Sequence, residues 1–205
     1  LCRQGLASVA TIFLNRAAGF HGDAAIAGMS IVSRVSMFAN SALIGFGQGF
    51  QPVCGFNYGA GKNDRVLEAF WFCVRYAFVF LLFVGTAGFI FAPELVTLFR
   101  KDDLKVIEVG TAALRYQVIA FPLNAWIVMC NMMLQSVGKG LKASIVASAR
   151  QGLCFIPLIM ILPHFLGLFG VEICQAVSDV LTLVISVPIG MSVIREMQRM
   201  NPKKC

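Results

Sequence analysis

Between Val35 and Gly61 the chain contains no Lys, Arg, Asp, Glu or His. That gap exceeds the ~20 apolar residues needed to cross ~30 Å of hydrocarbon, so the stretch reads as a membrane span. Charge is scarce elsewhere too: charged residues make up 13% of the 205 positions, about half the ~25% usual in soluble domains. Histidine occurs only as His21 and His164, neither with a Cys or His at ligand spacing, so no metal site is expected. The chain has no HExxH, no phosphate loop and no Ser, His and Asp set at usable spacing. It is therefore expected to have no catalytic residue and no enzymatic activity. The seven cysteines form no CxxC pair and sit mostly in apolar runs, as small buried hydrophobes do.

What remains is strongly apolar. Hydrophobic residues make up 58% of the chain and mean hydropathy is +0.79, above the ~45–50% apolar content of soluble domains, which places it among integral membrane proteins. The net charge of +7 and pI of 9.3 reflect basic residues clustered between apolar runs, a mark of membrane topology, so no nucleic-acid partner is expected. Arg3 followed by an apolar stretch up to Ala17-Ala18-Gly19 imitates a signal peptide. Gln4, Ser8, Asn15 and Arg16 interrupt that core, and the absence of an initial Met suggests a piece of a longer chain.

Hydropathy predicts an all-α polytopic protein of six transmembrane helices, at about 4–20, 24–57, 67–91, 111–136, 143–165 and 171–194. The second is too long for one straight crossing and is expected to bend or unwind at Pro52 and Gly55. Connectors alternate in charge. Arg3, then Lys62 and Arg65, then Lys139, Lys142 and Arg150, then Arg195, Arg199, Lys203 and Lys204 form the basic set. By the positive-inside rule these face the cytoplasm, with both chain ends. The stretch from Pro93 to Val109 mixes apolar and charged residues and reads either as a short interfacial helix or as a solvated loop.

Polar side chains recur on one face of several predicted spans when placed at 100° per residue. The first carries Gln4, Ser8, Thr11 and Asn15; the second Ser30, Arg34, Ser41 and Gln48; the fourth Gln117, Asn124, Asn131 and Gln135. The sixth adds Glu172, Gln175, Asp179, Thr182 and Ser186, and the fifth a weaker Ser144, Ser148 and Gln151. Such residues also act as interhelical glue at ~0.6 kcal/mol each, but several stripes together suit a hydrated path. The third span below Tyr76 is almost wholly apolar, as a lipid-facing helix should be. Asp179 is the only carboxylate deep in a span, where a charge costs ~2.5–3.5 kcal/mol and needs a partner or a task. Two readings stay open: it binds or relays a coupling cation, or it forms a structural ion pair with Arg34 or Arg16.

The run GQGFQPVCGFNYGAGKNDRV, beginning at Gly47, resembles the signature closing the second span of the C-terminal lobe in multidrug and toxin extrusion (MATE) transporters. RQGLASVATIFLNRAAGFHGD from Arg3 and MLQSVGKGLKASIVASARQ from Met133 support the likeness, which extends over essentially the whole chain. It implies that residues 1–205 are one six-helix lobe of a twelve-helix transporter, with the N-terminal lobe missing, on the same or a separate chain. It further implies a plasma (inner) membrane antiporter, with no cofactor, that exports drugs or toxic organic cations by alternating access against sodium or protons, with membrane lipid as surroundings. The substrate pathway would use Asn15, Arg34, Ser41, Gln48, Gln117, Asn124, Asn131 and Gln135, with Met37, Phe38, Phe121, Met129, Met132 and Met133 interleaved. Asp179 is the cation-coupling candidate within this chain, and the missing lobe is the other place for such a carboxylate. Gln51, Pro52, Gly55, Asn57, Tyr58 and Gly59 would shape the cytoplasmic end of the second span. Competing readings are a lipid-linked oligosaccharide flippase of the same superfamily, using Arg16, Arg34 and Arg115, and a structural half-transporter subunit.

Overall fold

The structure, a computed structural model, describes residues 2–19, 22–99 and 103–200. The described residues form helices α1 (Cys2–Gly19), α2 (Asp23–Gly59), α3 (Asn63–Ile90), α4 (Ala92–Phe99), α5 (Leu104–Ser136), α6 (Gly140–Ser148), α7 (Phe155–Leu166) and α8 (Leu168–Arg199). A single π-helical turn, Ala149–Leu153, joins α6 to α7. Helices α2, α3, α5 and α8 are long and apolar enough to cross a membrane. The two remaining spans of the six expected correspond in position to α1 and to the composite of α6, the π turn and α7. The protein is an all-α polytopic membrane bundle.

Helix α5 is the axis of the bundle. It packs against α2, α3, α4, α6 and α8, and 78% of its most apolar stretch is buried against 28% for α3. Asp103 starts it, accepting hydrogen bonds from the Lys105 and Val106 amides at 3.1 and 3.4 Å, which satisfies donors that a helix N-terminus leaves orphaned. That cap carries α5 a further two turns beyond the predicted start at Thr111. The Pro93–Val109 stretch resolves accordingly: its first part is helix α4, with Pro93 in the opening turn where a missing N–H is harmless.

Helix α3 buries a narrow stripe of Val66, Phe70, Ala77, Leu81, Gly85 and Gly88. Phe72, Val79, Phe80, Leu82 and Phe83 are exposed on its other faces, a surface that hydrocarbon, not water, would cover. Phe70 meets Trp126 of α5 edge-on with centroids 5.6 Å apart and Phe50 of α2 at 6.4 Å. Close backbone approach is built in by glycine. A Cβ on Gly28 of α2 would stand 3.1 Å from the Gly110 amide nitrogen of α5, and one on Gly170 of α8 would collide with the Leu162 carbonyl and lie 2.8 Å from the Pro163 nitrogen.

Two expectations are narrowed or corrected. Of the bend or unwinding expected at Pro52 and Gly55, unwinding is excluded, because helix α2 runs on to Gly59 with Pro52 inside it. The predicted fifth span, 143–165, is not one α-helix: the ladder widens at Ala149–Leu153 before α7 begins.

Candidate functional site

Among the described residues the most deeply buried charge is Asp179, about a third of the way along α8 and fully shielded. Its Oδ1 accepts from Arg150 Nε at 3.2 Å. Its Oδ2 accepts from Gln117 Nε2 and Asn124 Nδ2 of α5, each at 3.3 Å. One carboxylate thus gathers an opposite charge and two amides, the compensation that a charge in low dielectric requires. On the same face Ser178, Thr182 and Ser186 are completely buried. The Thr182 hydroxyl donates to the Ser178 carbonyl at 2.8 Å and that of Ser186 to Leu183 at 3.1 Å, so both are satisfied within α8.

Arg150 reaches Asp179 because of the π turn. The widened turn holds the Arg150 carbonyl where the Ser178 hydroxyl donates to it at 3.3 Å, and its side chain is 18% exposed. Its Nη2 also donates to Asn40 Oδ1 of α2 at 3.2 Å. A single guanidinium therefore ties α2 to α8 across α5. Single π turns inside α-helices concentrate at functional sites.

This corrects two sequence readings. Arg150 is not a solvated connector residue; it lies in the π turn between α6 and α7 and pairs with the buried Asp179. The partner of Asp179 is Arg150 and neither Arg34 nor Arg16, both of which are exposed. The signal was available: hydropathy enclosed Arg150 in the span 143–165, and a charge there calls for a countercharge. Asn40 and Ser178 carried no such signal.

Below Asp179 the amides of α5 continue toward the basic end of the bundle. Asn131 Nδ2 donates to the Ala143 carbonyl of α6 at 2.7 Å, its Oδ1 accepts from Gln135 Nε2, and Gln135 Oε1 accepts from Gln51 Nε2 of α2 at 3.4 Å. Gln117, Asn124 and Asp179 are therefore brought into one bonded cluster, and Asn131 and Gln135 into a second one further along α5. Arg34, Ser41 and Gln48 are exposed along α2, with the Ser41 hydroxyl donating to its own helix at Met37. Asn15 lies in α1, but its side chain is outside the described residues, as are those of Gln4 and Gln151. Met37 and Phe38 are exposed, whereas Phe121, Met129, Met132 and Met133 are core residues.

Within the signature run, close packing falls on Gly47, whose Cβ position lies 3.2 Å from Met132 and 3.3 Å from Met129. Gly49 and Gly59 meet nothing, and Gly55 only the Ser136 carbonyl at 3.9 Å. Asn57 bonds back to the Val53 carbonyl at 2.8 Å. Pro52 is exposed and Tyr58 half-buried. Among the described residues no group of three potential ligands could hold a metal ion.

The described helices thus form a membrane bundle around a buried ion pair and two sets of bonded amides. The MatE family model matches residues 3–161, and the chain belongs to that family. The multidrug export protein MepA of Staphylococcus aureus (strain NCTC 8325 / PS 47) is 29% identical over 162 residues, 78% of this chain and 35% of that protein. MepA of Staphylococcus haemolyticus is 27% identical over 166 residues, 81% and 36% of the two. Among solved structures, an outward-facing MATE family transporter of the MOP superfamily superposes with TM-score 0.89 at 24% identity, over 97% of this chain and 45% of that one. An inward-facing one gives 0.91 at 23%, over 98% and 47%. A Pyrococcus furiosus MOP transporter described as having a binding pocket of reversed polarity gives 0.89 at 24%, over 96% and 45%. The chain thus spans about a third of the length of its curated relatives and just under half that of the solved transporters.

Proposed function

We propose that the chain is the C-terminal lobe of an antiporter that exports drugs or toxic organic cations by alternating access, driven by inward sodium or proton flow. The observation that carries this reading is membership of a family whose matching curated proteins are described as multidrug export proteins. Two features of the lobe support it. It resembles outward- and inward-facing transporters about equally, as expected where two lobes rock against each other with little internal change. And α2 leaves uncovered a mixed face of Met37, Phe38, Ser41, Gln48 and Phe56, unlike the exterior of α3 beyond Tyr76, where Thr86 is the one polar side chain. In this reading that face, with Arg34, lines the substrate path opposite an N-terminal lobe. Asp179 is the coupling carboxylate of this half, and Arg150 holds it when no ion is bound. The basic end, with both chain ends, faces the cytoplasm of the plasma membrane.

The flippase reading has less support, because the buried arginine is neutralised by Asp179, and Arg115 lies 5.3 Å above the Phe89 ring. The test is export of a cationic dye by the full-length natural protein in vesicles under an imposed sodium or pH gradient. Gradient-driven export that Asp179→Asn abolishes in a normally inserted protein is expected. Binding of anionic lipid-linked sugars without dye export would overturn the drug-export reading. Full coupled export by Asp179→Asn would move the coupling carboxylate out of this lobe.

A further inference from the structure

Between the Gln51–Gln135–Asn131 chain and the Arg150–Asp179 pair lies a cavity of about 70 Å³. Its polar walls are Asn131 and Arg150, the apolar Ile44, Ile127, Val128, Met132, Val146 and Ala147 form the rest, and it is partly open rather than enclosed. Asn131 is also the inner end of the amide chain, and Arg150 is the outer member of the ion pair. The cavity is therefore the joint between two polar structures that would otherwise be separate. Arg150 has five N–H groups, of which Nε serves Asp179 and one on Nη2 serves Asn40. A volume of 70 Å³ takes about two waters at ~30 Å³ each, and a water needs two to four polar partners. The guanidinium, the second Asn131 amide proton and a neighbouring water meet that need.

We propose that this cavity binds water and completes a hydrated access path from the basic end of the lobe to the buried ion pair. The path runs from Gln51 and Gln135 past Asn131 to Arg150 and Asp179. It gives the signature run a task that packing does not explain, since Gln51 is the mouth of the path. Beyond Asp179, Gln117 and Asn124 are donors to the carboxylate and are buried within the core. The task assigned to the path, exchange of a coupling ion at Asp179, rests on the cation-coupled reading above; the existence of the path does not.

The experiment uses thiol accessibility in the full-length protein in sided membrane vesicles, with modification located by peptide mass. Ala147→Cys and Met132→Cys place a small thiol in the cavity wall, and Leu134→Cys places one at a buried position away from it. A membrane-impermeant cationic thiosulfonate applied at the basic face is expected to modify the cavity positions at least about tenfold faster than Leu134→Cys, which reacts only through local opening. Adding Asn131→Leu, which removes the inner amide, should slow modification of Ala147→Cys by a similar factor. Equal rates at cavity and control positions, or modification from the opposite face alone, would overturn the proposal. The readout needs neither drug nor gradient. A wild type that fails to export dye yet shows this accessibility would sink the export reading and leave the path standing.

Discussion

At the residue scale, the fold closes around Arg150 and Asp179 as a unit in which neither charge is tolerable alone. Insertion costs of ~2.5–3.5 kcal/mol per central charge are offset by mutual attraction and by the Gln117, Asn124 and Asn40 bonds. Removing one member leaves the other buried and unpaired, which in protein cores costs ~3–5 kcal/mol, whereas removing both with apolar residues of similar volume is close to neutral. Arg150→Leu should therefore lower the thermal unfolding midpoint of the detergent-solubilised protein markedly. The double variant Arg150→Leu with Asp179→Leu should recover most of that loss. A double variant as unstable as the sum of the singles would show that the two do not act as a pair.

At the scale of elements, the turn between α7 and α8 holds their backbones in direct contact. Gly167 turns the chain with φ of 58°, and Gly170 lets α8 lie directly on the Leu162 and Pro163 backbone. Because the obstructing atoms are backbone, a side chain cannot be accommodated by rotating a neighbour. Gly170→Ala is expected to destabilise by ~1–3 kcal/mol, the usual range for overpacking, and to displace the inner half of α8 on which Asp179 sits. A thermal midpoint unchanged from wild type would refute that contact. Both glycines stand in a sequence, HFLGLFGVE, that marks a break between spans without revealing how close the two helices lie.

For the whole molecule, the contrast between Gly170 and Gly55 separates folding from movement. A side chain on Gly55 meets nothing nearer than 3.9 Å within this lobe, so Gly55→Leu should fold and insert like the wild type. If the uncovered side of α2 faces a second lobe, the added bulk should obstruct the rocking of the two and reduce export. Expression and thermal midpoint would stay normal while dye export falls. Unchanged export would place Gly55 away from the moving interface.

The sequence alone determined that the chain is an all-α membrane bundle and where its long apolar runs lie, because a charge-free run and the return of polar residues at its ends follow from transfer energies that act residue by residue. It also placed Gln117, Asn124 and Asn131 on one side of α5, and Asp179 on one side of α8, through the 3.6-residue period. What it did not contain was which faces meet. Arg150 is 29 positions from Asp179 and 110 from Asn40, and no local pattern encodes those separations. The tertiary structure decided them through the π turn, which shifts the register of the fifth crossing and turns a basic residue that resembles a connector into the countercharge at the centre of the bundle. Periodicity fixes a direction around a helix axis; only packing fixes what stands in that direction.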